Sequence, residues 1–576
     1  MLVDEIKQTT FAASTYEEWQ ALATKSLRGL PFDKLITKTI EGIDLYPLYT
    51  EQSSKLESLH PIREAKQEAD WTIAQQQYVD NANDFIRNMK ESFERGNEAI
   101  VYDGSNPVDW NDKALIELAQ LAIQYPIYFL KIDQKDTIIN VFQHIADQDK
   151  ERVKGVVDIG QDQMPNGFIN IRTIGADVTE AHHLGADAVT ELALVIAKAA
   201  DNASNQEAFE ALNKQFFVRF AVDTHFFMEI AKLRAFRVLW EALSVAYGNK
   251  QVDAVPVLTE TSLRSYATLD PYVNLLRAGN SAFSAILGGA DVLTVHPHDV
   301  LTRPTETSIR LARNVQLVIQ EETLVSEVLD PAGGSYFIES LTKELVEKAW
   351  KRFIEIEEQG GYAAYIKSEQ YMAYIDQLHK KRLASVAKTS SSLIGTNVYA
   401  DLLGDEEKEA SLSIKGRLAE PFEKFRISFE QNQPKVALVT FGQLKDFKPR
   451  ADFVSGFLAT GGIKTESTAE LATVEEAVNW IRARQPDYVV VCATNEMTEQ
   501  VMTPLLQKLP TELTIDVAGK YSEELSSHWQ ENGLNGFIYN GLDKLEKFNE
   551  ILDRWEGDGK VDKAEFSKCK SIKSNG

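Results

Sequence analysis

One stretch, residues 288–342, constrains the fold more than any other. It reads GGADVLTVHPHDVLTRPTETSIRLARNVQLVIQEETLVSEVLDPAGGSYFIESLT. An apolar, β-branched run at 291–295 predicts a strand, and it ends in His296, Pro297, His298 and Asp299. Apolar residues at helical spacing follow over 305–320, and a second strand-like run at 325–329 ends in DPAGGSY. Strand, polar loop, helix, strand and polar loop is the order of a parallel barrel or a doubly wound sheet. In a barrel, the chemistry sits on the loops after the strands. His296, His298 and Asp299 are therefore the first candidates for a site.

The same alternation runs through most of the chain. Strands are predicted at 99–102, 127–132, 153–159, 168–174, 217–222 and 254–258, in addition to 291–295 and 325–329. Between them, residues 188–203 place Val189, Leu192, Ala193 and Ile196 on one helical face, and residues 226–243 read the same way. Eight strands alternating with helices predict a (β/α)8 TIM barrel. At 576 residues the chain is too long for a single core. Residues 1–80 read as an N-terminal arm, with Phe11, Tyr16, Trp19 and Leu22 on an amphipathic face, and the barrel is placed at 81–384. A linker covers 385–432, with a serine run, an acidic cluster and the helix RLAEPFEKFRISFE. Apolar runs alternate with helices again from Lys435, which predicts a flavodoxin-like doubly wound domain over 433–556. A polar tail, 557–576, completes the division.

A net charge of −25 argues against nucleic acid or an anionic membrane surface as partner. No uncharged apolar run reaches the roughly 18 residues needed to span a bilayer. The N-terminus shows no basic segment followed by an apolar one, so no secretion leader is read. Cys492 and Cys569 are too few for a disulfide framework or a four-thiolate zinc site. A reducing cytoplasm fits this usage.

Several segments together carry a family resemblance: TIEGIDLYPLYT, DWTI at 70–73, GADAVTELALVIA, FFMEIAKLRAFRVLW, DPYVNLLRAG, RLARNVQLVIQEE, LDPAGGSYFIESLT and RLAEPFEKFR. The chain resembles the adenosylcobalamin-dependent acyl-CoA mutases, methylmalonyl-CoA mutase in particular, over nearly its whole length and in the same domain order. The resemblance implies a role in the reversible conversion of (R)-methylmalonyl-CoA to succinyl-CoA. It also implies a choice between two kinds of chain, because bacterial members are often heterodimers of an active large subunit and a degenerate small one.

Three family elements decide that choice. Where the family carries the cobalt-binding D-x-H-x-x-G motif, this chain has Leu444, Asp446 and Pro449, and no histidine lies between His379 and His528. The family's catalytic Tyr-His pair falls on Thr179 and Glu180, with His182 and His183 displaced and read as surface or interface residues. The substrate loop with its tyrosine is replaced by EQSSKLESLHPIREAKQEADWTIAQQQ; Trp71, Thr72 and Ile73 remain, and Ala74 stands where the family has arginine. CoA binding by this chain is therefore not expected. All three elements fail while the scaffold motifs stay, which resembles the non-catalytic small (beta) subunit. Adenosylcobalamin is then expected on the large subunit only, and no catalytic, cofactor or metal residue is expected on this chain. The expected partner is that homologous large subunit, in a heterodimer. Two alternatives stay open: a cobalamin-independent barrel enzyme using His182, His183 or His296, and a CoA-ester-binding protein.

The remaining signals are weak. His296 and His298 lack an evident third metal ligand. Residues 554–565 resemble a calcium loop but begin with Arg554 where a carboxylate is needed. Gly288-Gly289 and Gly333-Gly334 read as turns, since neither has a phosphate-cradle pattern. Cys492, inside a predicted strand, reads as inert core.

Overall fold

In the computed structural model, the residues described are 14–51, 60–66, 68–133, 135–159, 164–203, 209–249, 254–402, 414–431 and 433–557. Nine parallel strand segments make one sheet. In chain order they are Thr72–Gln76, Ala99–Asp103, Ile127–Leu130, Gly155–Val157, Ile171–Arg172, Ile174–Asp177, Phe216–Val222, Val257–Thr261 and Val292–Thr294. The two ends of the sheet are Ile171–Arg172 and Ile174–Asp177, which are one run of chain interrupted at Thr173. One half pairs with the fourth strand and the other with Phe216–Val222, so the run closes an eight-stranded barrel.

The strand predicted at 325–329 is absent. Val325–Glu327 is a 3-10 turn, and Val328 and Leu329 lie exposed beyond it. The barrel instead begins with Thr72–Gln76, which pairs with the last strand in the register Val292↔Thr72. Its sequence, TIAQQ, is too polar to announce a strand. Gln75 is nonetheless buried and accepts from Arg313 at 2.7 Å. The loop DPAGGSY forms a clamp on the barrel wall. Asp330 pairs with Arg234, and Arg234 reaches Glu339 at 2.7 Å.

Side chains alternate across the barrel wall as the pleat requires. Ala74, Ala99, Val101, Tyr128, Leu130, Val156, Phe217, Leu258 and Val292 form one cluster inside the barrel. Phe216, Val218, Phe220 and Val222 face out into the helix layer. The strand FFVRFAV is thus buried on both faces, as parallel strands under helices are.

The second sheet has five parallel strands, Val436–Thr440, Thr465–Ser467, Tyr488–Cys492, Thr514–Ala518 and Gly536–Ile538. The second of these lies outermost beside the first, giving the order 2-1-3-4-5 of flavodoxin-like sheets. The helix Glu420–Gln431 leads into it. Just before this helix, Arg417 makes a buried two-pronged pair with Glu423 at 2.8 and 2.5 Å. Arg417 also donates to the Tyr266 carbonyl, and Glu423 accepts from the Thr268 N–H, so the pair holds the linker to a barrel loop.

The arm is different in kind. Its helix Tyr16–Ser26 begins in a Thr15–Glu18 capping box yet contains no buried residue. Leu22 is exposed, and Trp19 meets only the neighbouring rings of Tyr16 and Phe32 among the described aromatic contacts. Phe11 lies outside the described residues. No helix among the described residues is long and apolar enough to cross a membrane.

The linker makes a testable contact. Gly416 has φ +80°, and an added Cβ would sit 2.1 Å from the His183 carbonyl oxygen. Gly416→Ala is expected to lower thermal stability by about 1–3 kcal/mol, through left-handed strain and backbone displacement. Gly456, in the helix Leu444–Ala459, has open space at its Cβ position. Gly456→Ala is expected to leave the stability unchanged or raise it by up to about 1 kcal/mol. Scanning calorimetry of the two variants checks the pair; equal effects would refute the contact.

Candidate functional site

Each of the eight barrel strands brings one ionisable side chain to the carboxyl-end half of the barrel: Tyr78, Asp103, Lys131, Asp158, Asp177, Arg219, Glu260 and His296. Arg219 is central and buried. It reaches Glu260 at 2.5 Å, Asp177 at 3.0 Å and Asp103 at 3.7 Å. Lys131 stands 3.9 Å from Asp103. The His296 ring is 2.8 Å from the Tyr78 hydroxyl through Nδ1, and its Nε2 is 3.6 Å from Glu260. Within this ring of residues, His296 Nε2 has no hydrogen-bond partner.

The electrostatics favour shape over reactivity. Burial alone would raise Glu260, but the Arg219 guanidinium and the His296 ring hold it well below the usual carboxylate range. A carboxylate held so low is a poor general base. Burial and the neighbouring Asp177 push Asp158 up to about 6. Tyr128, Leu130 and Phe217 are buried in the cluster inside the barrel. The sequence reading singled out His296 and missed Arg219 and Glu260. The available signal was a charge inside an apolar strand run, Arg219 in FFVRFAV.

His182 is not a surface residue, contrary to its sequence reading, and His183 is half-buried. His182 is 0% exposed. Its Nδ1 lies 2.6 Å from Glu191 and its Nε2 2.8 Å from the Ser262 hydroxyl. Serine, histidine and carboxylate in that order have the connectivity of a hydrolytic triad. Here, however, the serine is buried, and Glu191 is shared with Lys232 at 2.8 Å, which also holds Glu229 at 2.6 Å. Burial, then the charges of Arg264 and Lys232, push His182 far below its ordinary value, so it stays neutral. Burial likewise pushes His183 down to about 4. The displaced histidines were misread because the helix Thr179–Leu184 turns them inward and leaves Glu180 outside, while Thr179 is buried.

The two candidate metal ligands are held apart by their own contacts. His296 faces the barrel interior, whereas the His298 ring stacks on Tyr272 with centroids 5.1 Å apart. Among the described residues no group of three or more His, Cys, Asp or Glu side chains is placed to hold a metal. Asp299 spends Oδ2 on Thr305, at the start of the next helix. Trp71 donates to Gln316 at 3.2 Å, and Ala74 faces the barrel interior. Residues 52–59 of the substrate loop, residue 67, Cys569 and the calcium-like loop beyond 557 lie outside the described residues.

The carboxyl edge of the second sheet is where the resemblance would place a corrinoid, and the residues there do not fit one. Asp446, at the position the resemblance assigns to the axial ligand, accepts from the Gln443 N–H at 3.1 Å in the capping box of its own helix. The Leu444 N–H is taken by Glu470 at 2.9 Å. Pro449 is inside the helix Leu444–Ala459. The next residue, Arg450, crosses the edge to Asn495, to the Ala518 carbonyl at 3.1 Å and to the Tyr521 hydroxyl at 2.9 Å. Its guanidinium lies over Gly519, where an added Cβ would sit 3.3 Å from it. Cys492, on the central strand, is buried and pushed up to about 12 by burial, which leaves it an unreactive thiol.

Comparison with known proteins agrees with the earlier resemblance. The sequence model of the family described as methylmalonyl-CoA mutase matches residues 148–482. A probable methylmalonyl-CoA mutase small subunit of Mycobacterium bovis is 34% identical over 363 residues, 59% of this chain and 58% of that one. The methylmalonyl-CoA mutase small subunit of Porphyromonas gingivalis is 25% identical over 605 residues, covering 94% of this chain and 97% of its own. That of Propionibacterium freudenreichii subsp. shermanii is 26% identical over 637 residues, covering 96% and 97%. The chain thus spans 58% of the mycobacterial relative and nearly all of the other two.

The lowered His183 predicts a pH dependence. His183 titrates near 6.5 when unfolded and about 4 when folded, so the unfolded state takes up its proton first. Its contribution is complete above pH 6.5 and is lost as pH falls toward 4. Asp158, folded at about 6, acts in the opposite sense. The diagnostic is therefore a difference: His183→Gln should melt with a shallower fall in midpoint between pH 6.5 and 5 than the wild type. Parallel midpoint curves would rule out a neutral His183 in the folded chain.

Proposed function

The chain belongs to the methylmalonyl-CoA mutase family, and from that premise we propose that it is the non-catalytic small subunit of a two-chain mutase. The complex would interconvert (R)-methylmalonyl-CoA and succinyl-CoA in the cytoplasm. Adenosylcobalamin would be bound by the homologous large subunit, which this chain stabilises as a heterodimer. The observation that carries this reading is the occupied edge of the second sheet, where Asp446 caps its helix and Arg450 spans to Asn495 and Tyr521. The buried cluster inside the barrel and the Arg219–Glu260–Asp177 cluster support the same reading, because an extended thioester would have no path through them.

The arm supports the partnership. An isolated helix of 11 residues is marginal in water, and Tyr16–Ser26 has no fully buried residue among the described ones. Packing against a partner would supply the missing apolar contact. The second reading, an autonomous barrel enzyme, has the Ser262–His182–Glu191 array in its favour. That array has no solvent route at the serine, which is 2% exposed.

Co-expression with a large subunit is expected to give a 1:1 complex whose corrinoid absorbance and turnover follow the large chain. The isolated chain, incubated with adenosylcobalamin and desalted, is expected to emerge colourless. Restoring the motif by Leu444→Asp, Asp446→His and Pro449→Gly together should still retain no colour, because Arg450 remains in place. Turnover of methylmalonyl-CoA by the isolated chain with added cofactor would sink the proposal, and hydrolysis abolished by Ser262→Ala would favour the second reading.

A further inference from the structure

The three most exposed large apolar side chains among the described residues are Tyr399 at 86%, Leu276 at 73% and Tyr272 at 71%. They lie in two segments that touch. Tyr272 and Leu276 are one helical turn apart near the start of the helix Pro271–Leu287, so they share a face. Arg277 of that helix donates to the Ile394 carbonyl at 2.7 Å. Gly395 is packed so closely on Asp270 that an added Cβ would sit 3.0 Å from the Asp270 Cβ. Ile394, itself half exposed, is bridged to Val398, so Tyr399 next to it lies in the segment packed beside the helix. Single exposed apolar residues are ordinary, but a contiguous group of this size marks an interaction surface.

Two further features single this face out. Tyr399 has φ +53°, in the left-handed region that an L side chain enters only under strain. Strain of this kind is concentrated at functional sites. Tyr272 also forms one wall of a cleft of about 810 Å³ between the barrel loops and the helix Glu420–Gln431. The cleft walls mix Asp270, Arg303, Glu430 and Lys464, so no small ligand of a single charge is selected. Aromatic anchors beside a cleft with both signs of charge have the make-up of a protein interface: apolar centre, polar rim and a recess for a protruding segment.

We propose that this face, Tyr272, Leu276, Ile394 and Tyr399 with the adjoining cleft, is a docking surface for the larger homologous chain, separate from the N-terminal arm. The inference rests on the small-subunit reading above. A second copy of this chain is disfavoured as occupant because each copy carries a net charge of −25. The related small subunits in Porphyromonas and Propionibacterium are named for one part of a larger enzyme, which makes a different, larger chain the fitting occupant.

The test uses the full chain co-expressed with a large subunit. Leu276→Asp with Tyr399→Asp is expected to weaken pairing at least tenfold by titration calorimetry. Val245→Asp, an equally surface-borne change elsewhere (61% exposed), is expected to leave pairing unchanged. Tyr399→Gly separates docking from folding. Glycine relieves the left-handed strain, so the melting temperature should hold or rise while pairing still weakens. If the wild type pairs and both Tyr399 variants pair equally well, the docking face is refuted and the small-subunit reading stands. If the wild type pairs with no large subunit, the reading itself falls and takes the docking face with it. If sedimentation shows copies of this chain pairing through the face, the assigned occupant is wrong.

Discussion

Pairing of Thr72–Gln76 with Val292–Thr294 is the constraint on which the barrel depends. Without it the sheet would have two open edges and an apolar inner face with no cover. With it, eight strands enclose a space that side chains alone can fill. That closure makes a strand of TIAQQ despite its polarity. Ile73 faces the helix core, Ala74 faces the inside, and Gln75 pairs with Arg313. It also determines that eight strand ends converge at one mouth, where their ionisable residues must either pair or serve as a site. Here they pair.

Burying charge is costly unless every charge has a partner. Two clusters meet that condition by sharing. Arg219 is held by Glu260, Asp177 and Asp103, and Lys232 by Glu191 and Glu229. Such clusters add little net stability compared with apolar packing, yet losing one member strands the rest at about 3–5 kcal/mol. Their effect is specificity: each charge restricts where its neighbours can go. His182, neutral between Glu191 and Ser262, extends that restriction from the fifth strand's helices to the seventh strand's loop.

Much of this was legible in the sequence. The period of the apolar runs gave seven of the eight barrel strands to within a few residues, and the alternation from Lys435 gave the second sheet. The exceptions share a cause. A run such as VSEVL at 325–329 has the composition of a strand, but a strand exists only where a neighbour pairs with it, and the first strand had already taken that place. The same limit governed the site. Spacing could show that Thr179 and Glu180 are not Tyr and His. It could not show which way the helix Thr179–Leu184 turns, and so could not place His182 in the interior. Arg219 and Glu260 become a pair only when their strands lie side by side.

The second sheet has a structural role in this architecture. One of the two apolar faces of the second sheet is shared with the barrel. Ala267 and Leu269 from a barrel loop, Val386 and Leu393 from the connector, and Phe422, Phe457 and Phe548 from beyond it pack in one cluster. The Arg417–Glu423 pair fixes the same barrel loop to the linker, and Lys544 reaches back to the Asn397 carbonyl at 2.6 Å. Removing the second sheet would uncover the barrel loop and its polar anchors together. Site and scaffold therefore separate along a physical line. Asp446 and Arg450 stand at a solvent-facing edge and can adopt capping and bridging roles without disturbing a core, whereas the apolar face behind them is shared and cannot be given up.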